Sequence, residues 1–150
     1  MKAQVIDEID RRLLTELQSE ARLSHAELGR RIGLSGTSTA ERLRRLEESG
    51  VIRGYTADVD PKALGYAITA VLRIRPVLGE LKKIAEVANS TPEVVECHRI
   101  TGEDCYIMKL HVRSVDALEE VLDHFTPFGQ TTTSIVQSSP VPGRGIHIGS

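Results

Sequence analysis

The stretch from Ser24 to Gly50, SHAELGRRIGLSGTSTAERLRRLEESG, limits what this chain can fold into more than any other. Ser24, His25, Ala26 and Glu27 have the S-x-x-E order in which a serine hydroxyl and a glutamate carboxylate satisfy each other's orphan backbone donors at a helix start. Ala26, Leu28 and Ile32 then share an inward face. Gly33 stops the helix, because glycine takes the left-handed conformation at a helix C-terminus without steric cost. Leu34 plugs the core just beyond the turn, and Ser35 restarts the chain as the N-cap of a second helix. There Ala40, Leu43 and Leu46 recur at three-residue steps as one narrow apolar stripe. The segment predicts two short helices joined by a tight turn.

The opposite face of the second helix carries Thr37, Ser38, Glu41, Arg42 and Arg45. Hydroxyls and backbone amides near a helix start touch phosphates, and an arginine fork reaches two acceptors of a guanine in a major groove. Ser24, Ser35, Thr37, Ser38, Thr39, Glu41, Arg42 and Arg45 are therefore the candidate contacts to double-stranded DNA. Charge on an outward face is also the ordinary state of any bundle helix. Helix pairs with a glycine turn are common outside DNA-binding proteins, so the rest of the chain has to decide.

The formal net charge is -2 over 150 residues, which argues weakly against a nucleic-acid partner until the distribution is inspected. Between Arg22 and Arg53 seven arginines stand against four glutamates, a local excess of three. One such segment binds DNA feebly and in a salt-sensitive way; a dimer presenting two copies is the expectation. The only cysteines, Cys97 and Cys105, indicate neither a disulfide framework nor a zinc site, so no metal or cofactor is expected. The opening MKAQVIDEIDRR lacks a signal-length apolar core and no later run has the length to span a bilayer, which leads us to expect no membrane contact and a cytoplasmic setting.

Asp7 is a good N-cap for a preceding helix with Ile9, Leu13, Leu14 and Leu17 on its apolar face; its acidic start makes it a scaffold rather than a DNA contact. Val51 to Val59 reads as a short β-linker ending at Asp60 and Pro61. Beyond it, period-two alternation from Ala67 to Arg75 predicts a strand. Leu78, Leu81, Ile84, Ala85 and Ala88 predict a helix. Val94 to Ile100 and Tyr106 to Val112 predict two further strands. A helix capped by Ser114 buries Ala117, Leu118, Val121, Leu122 and Phe125, and Thr131 to Val136 makes a last strand. Strand, helix, strand, strand, helix, strand is the order of a split β-α-β sandwich with both helices on one face. Its uncovered face carries Thr69, Val71, Arg73, Cys105, Ile107, Lys109 and His111, and a half-apolar open sheet is usually a subunit interface. The predicted class is α+β: an N-terminal trihelical, winged-helix-like helix-turn-helix domain over residues 1–60 and a C-terminal ferredoxin-like βαββαβ domain over 61–141. Residues 142–150, rich in proline and glycine, read as a flexible tail.

This architecture resembles the Lrp/AsnC family of feast/famine transcription regulators. Three stretches carry the resemblance: Leu34, Ser35 and Ala40 to Glu47; Gly50 to Tyr55; and Thr101 to Tyr106. A fourth, Phe128 to Val136, looks like the family's last strand. The resemblance implies a helix-turn-helix that binds a pseudo-palindromic promoter site, and a second module that pairs subunits into a homodimer and further, often into an octamer. It also implies a small effector, commonly an amino acid, held between dimers by the loop after the second strand. Here that loop is Gly102, Glu103, Asp104 and Cys105, with Thr131 and Thr133 as candidate neighbours. Glycine lets the backbone approach a ligand and present amides to a carboxylate, and the two acids accept from an α-ammonium. Two positions depart from the family pattern. Gly36 and Thr37 stand where proline or alanine is common, and Cys105 stands where many members have aspartate, which bears on effector selectivity.

An enzyme is the competing class. Cys97 and His98 are adjacent, which on a strand sends them to opposite faces; Cys105 and His111 lie about 20 Å apart along one. No phosphate-binding glycine loop or H-E-x-x-H is present. An effector-independent architectural member of the same family and a small-molecule sensor that has lost DNA binding also compete; the exposed Arg42 and Arg45 argue against the sensor.

Overall fold

The computed structural model describes residues 5–149, so the outermost residues of the first domain and of the tail, 1–4 and 150, lie outside it. The chain divides into two compact units, Asp58–Pro140 and the segments on either side of it, 1–57 and 141–150.

The first unit contains α1 (Glu8–Ser19), α2 (His25–Ile32) and α3 (Gly36–Glu48). A full capping box forms at α1: Asp7 Oδ1 accepts from the Asp10 N–H at 2.8 Å, while the Asp10 carboxylate reaches back to the Asp7 N–H. At α2 only half of the expected box is present. Ser24 Oγ accepts from the Glu27 N–H, but the Glu27 carboxylate turns to Arg30 and Arg31 instead, at 2.7–3.1 Å. A guanidinium within reach outcompetes a neutral N–H for a carboxylate. Gly33 ends α2 with φ 81°, as the turn requires. Leu13, Leu28, Ile32, Leu43 and Leu46 form the buried core, with Leu14, Leu17, Leu34 and Ile52 packed against it. Ala26, expected inside, is exposed.

Residues 51–60 run without a ladder partner among the described residues, so the expected β-linker is not a strand in the single chain; Val51, Tyr55 and Val59 are exposed. Tyr55 is still tied down: its hydroxyl donates to Glu47 Oε1 at 2.7 Å, and partial burial with that carboxylate pushes the phenol's pKa up to about 12. Near the C-terminus Gln18 Nε2 donates to Ile146 O at 3.0 Å and Arg11 Nη1 to Gly149 O at 2.6 Å, where the sequence suggests a flexible tail.

The second unit is an antiparallel sheet of order β2-β3-β1-β4, formed by β1 (Ile68–Pro76), β2 (Val94–Arg99), β3 (Tyr106–Val112) and β4 (Gly129–Ile135), with α4 (Leu81–Ser90) and α5 (Val115–Asp123) on one face. Alternate residues Ala70, Leu72, Ile74, Tyr106, Met108, Leu110 and Val112 pack against Ile84, Ala88, Leu118, Val121 and Phe125. Leu78, expected on the first of these helices, is fully exposed, because Val77–Gly79 form a turn and the helix starts at Leu81. Val71, Ile107, Lys109 and His111 stand half-buried on the other face. There Thr69 Oγ1 and His111 Nδ1 lie 3.0 Å apart, and burial together with Lys109 lowers the histidine's pKa.

Candidate DNA-binding helix and effector loop

α3 presents Thr37, Ser38, Glu41, Arg44, Arg45 and Glu48 to solvent. Leu34, Ser38, Glu41, Arg42, Arg44, Arg45 and Glu48 line an open cleft of about 450 Å³ along it. Ser24 and Ser35 both cap helices, Ser35 Oγ accepting from the Ser38 N–H at 3.1 Å, and both remain exposed. Thr39 is a correction: it is fully buried, its Oγ1 donates to Ser35 O at 2.9 Å, and it takes the inner place beside Leu43 and Leu46 while Ala40 is only half-buried. The reason lies across the turn, at Gly29. A Cβ there would come within 2.8 Å of Thr39 Oγ1 and 2.5 Å of Leu34 O, so the missing side chain admits the threonine.

The arginines of α3 are less free than their sequence suggests. Arg42 Nη1 donates to Asp7 Oδ2 at 2.7 Å and to Asp10 Oδ1 at 2.8 Å, and the side chain is 24% exposed. Arg45 Nη2 donates to both Asp10 oxygens, at 3.0 and 2.9 Å, and its side chain is 50% exposed. Asp10 itself has no exposed surface. The Arg42 guanidinium, helped by the Asp10 N–H, holds the Asp7 carboxyl below the usual carboxylate range, and Asp7 in turn raises the pKa of Arg42. α1 is thus bound to α3 through a buried carboxylate shared by two arginines. Arg44, absent from the expected DNA contacts, is 68% exposed and among the described residues pairs only with Glu48, at 3.4 Å.

In the second unit Gly102 holds φ 107°, in the region that disfavours side chains. The loop's two acids are occupied from β1: Glu103 pairs with Arg75, and Asp104 with Arg73 at 3.5 Å. The Cys105 thiol lies 3.9 Å from Gly102 O and 3.8 Å from Glu103 O. Thr131 and Thr133 are not brought to this cluster. In the register they stand opposite Ile74 and Leu72, on the helix-packed face, whereas Gln130 and Thr132 stand opposite Arg75 and Arg73. Side-chain parity in a strand is fixed by register, and a shift of one residue exchanges the faces.

Residues 6–53 match the winged helix-turn-helix DNA-binding family, and residues 69–146 the Lrp/AsnC ligand binding domain. The chain belongs to the Lrp/AsnC family. It is 35% identical over 133 residues to the HTH-type transcriptional regulator LrpC of Bacillus subtilis, spanning 89% of this chain and 92% of that one. It is 36% identical over 120 residues to the leucine-responsive regulatory protein of Escherichia coli, spanning 78% and 73%. The solved structure of B. subtilis LrpC superposes with a TM-score of 0.88 at 33% identity, over 93% of this chain and 100% of that one. The feast or famine regulatory protein from M. tuberculosis complexed with L-methionine superposes with 0.90 at 32% identity, over 97% and 100%. The protein is accordingly a DNA-binding transcription regulator of the Lrp/AsnC type with an α+β fold, and the relatives it resembles are transcription regulators. Among the described residues no helix is long and apolar enough to cross a membrane.

Sequence reasoning misses Asp10, Arg44 and the β1 arginines as loop partners. The Asp7-x-x-Asp10 spacing is that of a capping box, and alternation along β1 puts Arg75 on the same face as Arg73; both signals are present in the sequence.

Proposed function

We propose that the protein acts as a homodimer, assembling further into a ring such as an octamer, that places paired α3 helices in successive major grooves of a pseudo-palindromic promoter site. The observation that carries this is the outer face of α3, with Ser38, Glu41, Arg44 and Arg45 exposed on a helix whose inner face is locked into the core. Half-buried Val71 and Ile107 on the open sheet face support pairing of subunits there. The effector is an amino acid held between dimers at Gly102, Glu103, Asp104 and Cys105, in keeping with the L-methionine complex of the M. tuberculosis relative. Arg73 and Arg75 beside Glu103 and Asp104 supply both signs of charge, which suits a zwitterion: the arginines for the carboxylate, the acids for the ammonium. Effector binding shifts the assembly and so shifts DNA affinity, which requires different effector contacts in the two assemblies.

Those same ion pairs favour one second reading, an effector-independent member of the family, since the acids already have partners and Cys105 replaces a common aspartate. Light scattering with and without a panel of free amino acids, run beside retardation of the DNA flanking the protein's own gene, separates the two. One amino acid changing assembly size and retardation together is the expected result. A fixed oligomer that binds DNA regardless of every amino acid would reject the effector, and a monomer that ignores DNA would reject the whole reading.

A further inference from the structure

A carboxylate with no exposed surface sits behind the DNA-facing helix and holds two guanidiniums, each through a single nitrogen. We propose that Asp10 is a positioning residue for DNA binding, fixing Arg45 so that the rest of its guanidinium meets a backbone phosphate.

Three observations carry the assignment. Asp10 is wholly buried, anchored by its place in the α1 capping box and by Arg42. Its two oxygens both accept from Arg45 Nη2, so the arginine is held at one corner of its fork. Arg45 Nε and Nη1 take no protein acceptor among the described residues, and the side chain is half-exposed. An arginine otherwise brings a long, freely rotating stem to its target; one held by a rigid carboxylate is ordered before it binds. Phosphate is the fitting partner because Arg45 lies late in α3 (Gly36–Glu48), whereas base edges are met mainly by the first residues of a recognition helix. Arg42 divides its one engaged nitrogen between Asp7 and Asp10 and is three-quarters covered, so it cements α1 to α3 rather than reaching DNA.

The assignment rests on α3 being the DNA-facing helix, and its sign is opposite to that of simple electrostatics. Removing a negative charge from beneath a DNA-binding face should tighten binding if charge alone matters. Loss of positioning weakens it. The test is a double-mutant cycle on a promoter fragment across a salt series, with Asp10→Asn, Arg45→Ala and the pair together, each checked for native melting. Arg45→Ala is expected to weaken binding about tenfold and to reduce the salt slope by about one. Asp10→Asn is expected to weaken the parent about fivefold but to change the Arg45→Ala background hardly at all. Equal weakening in both backgrounds would make Asp10 a structural residue only, and tighter binding would make it a plain counter-charge; either overturns the proposal. Should Asp10→Asn fail to fold, Arg45→Lys decides. An ammonium gathers its three donors on one nitrogen and lacks the guanidinium's separate phosphate-facing edge, so binding should fall nearly as far as in Arg45→Ala, and parental affinity would overturn the proposal. A parent that ignores DNA would remove both the α3 reading and the role of Asp10.

Discussion

Among the arginine–carboxylate clusters of this molecule, the one behind α3 and the one at the Gly102 loop differ in burial rather than in chemistry. In the first unit Arg42 and Arg45 meet Asp10, which has no exposed surface; in the second, Arg75 meets Glu103, whose side chain is 79% exposed. An acid sealed from water keeps its partners in one geometry, because breaking the pair strands a charge. An acid in water exchanges partners at little cost, since the solvent replaces what is lost. The first arrangement suits a reading head that must present the same surface every time. The second suits a loop that a ligand rearranges. The glycines repeat the contrast: a Cβ at Gly29 would strike backbone at 2.5 Å, whereas one at Gly102 would meet nothing and only φ 107° constrains it.

If burial is what separates the clusters, truncating the buried acid should produce the largest effect. Asp10→Ala is expected to cost about 3 kcal/mol in denaturant unfolding of the first unit, from the orphaned Asp7 N–H and the unmade ion pairs. A cost below about 1 kcal/mol would erase the distinction. Gly29→Ala, which sets a methyl against Leu34 O and Thr39 Oγ1, should lower stability by about 2 kcal/mol and loosen the turn between α2 and α3, read as faster hydrogen exchange at Thr39. Gly102→Ala meets no neighbour and should cost only about 1 kcal/mol, all of it backbone strain. Glu103→Ala should change the melting of the protein by less than about 1 kcal/mol while altering its response to an amino acid.

The smallest effect sharpens the contrast within the first unit. Arg30 and Arg31 depress Glu27 from 4.5 to about 2. A carboxyl with a lowered folded-state pKa adds stability that is complete above its unfolded value and fades as pH falls through the folded one. Glu27→Gln should therefore melt lower than the parent above about pH 4.5, and the two curves should converge by about pH 2. Parallel curves throughout would show that these exposed pairs contribute nothing.

Both folds are legible in the sequence because their signals are local: Gly33 at its turn, Ser114 as a cap, and period-two alternation along Tyr106–Val112. What is illegible depends on neighbours distant in sequence. Thr39 looks like a surface hydroxyl until Gly29 opens a place for it, and Asp10 looks like a solvated first-turn acid until two arginines more than thirty residues on close over it. The outward arginines of α3 are legible as a charged face, but their division into Arg42 as cement and Arg45 as the more exposed group is a packing outcome. Thr131 and Thr133 turn on a single residue of register, set by where β4 pairs with β1. Residues 51–60 have strand-like composition, and composition carries no information about whether a partner strand is there to pair with.

Hydrogen–deuterium exchange along the chain, with and without an amino acid that alters DNA retardation, tests the contrast between the two clusters most directly. Slower exchange confined to residues 101–106, with amides of α1 and α3 around Asp10 unchanged, is the predicted result. Protection that leaves 101–106 untouched, or that appears first around Asp10, would contradict it.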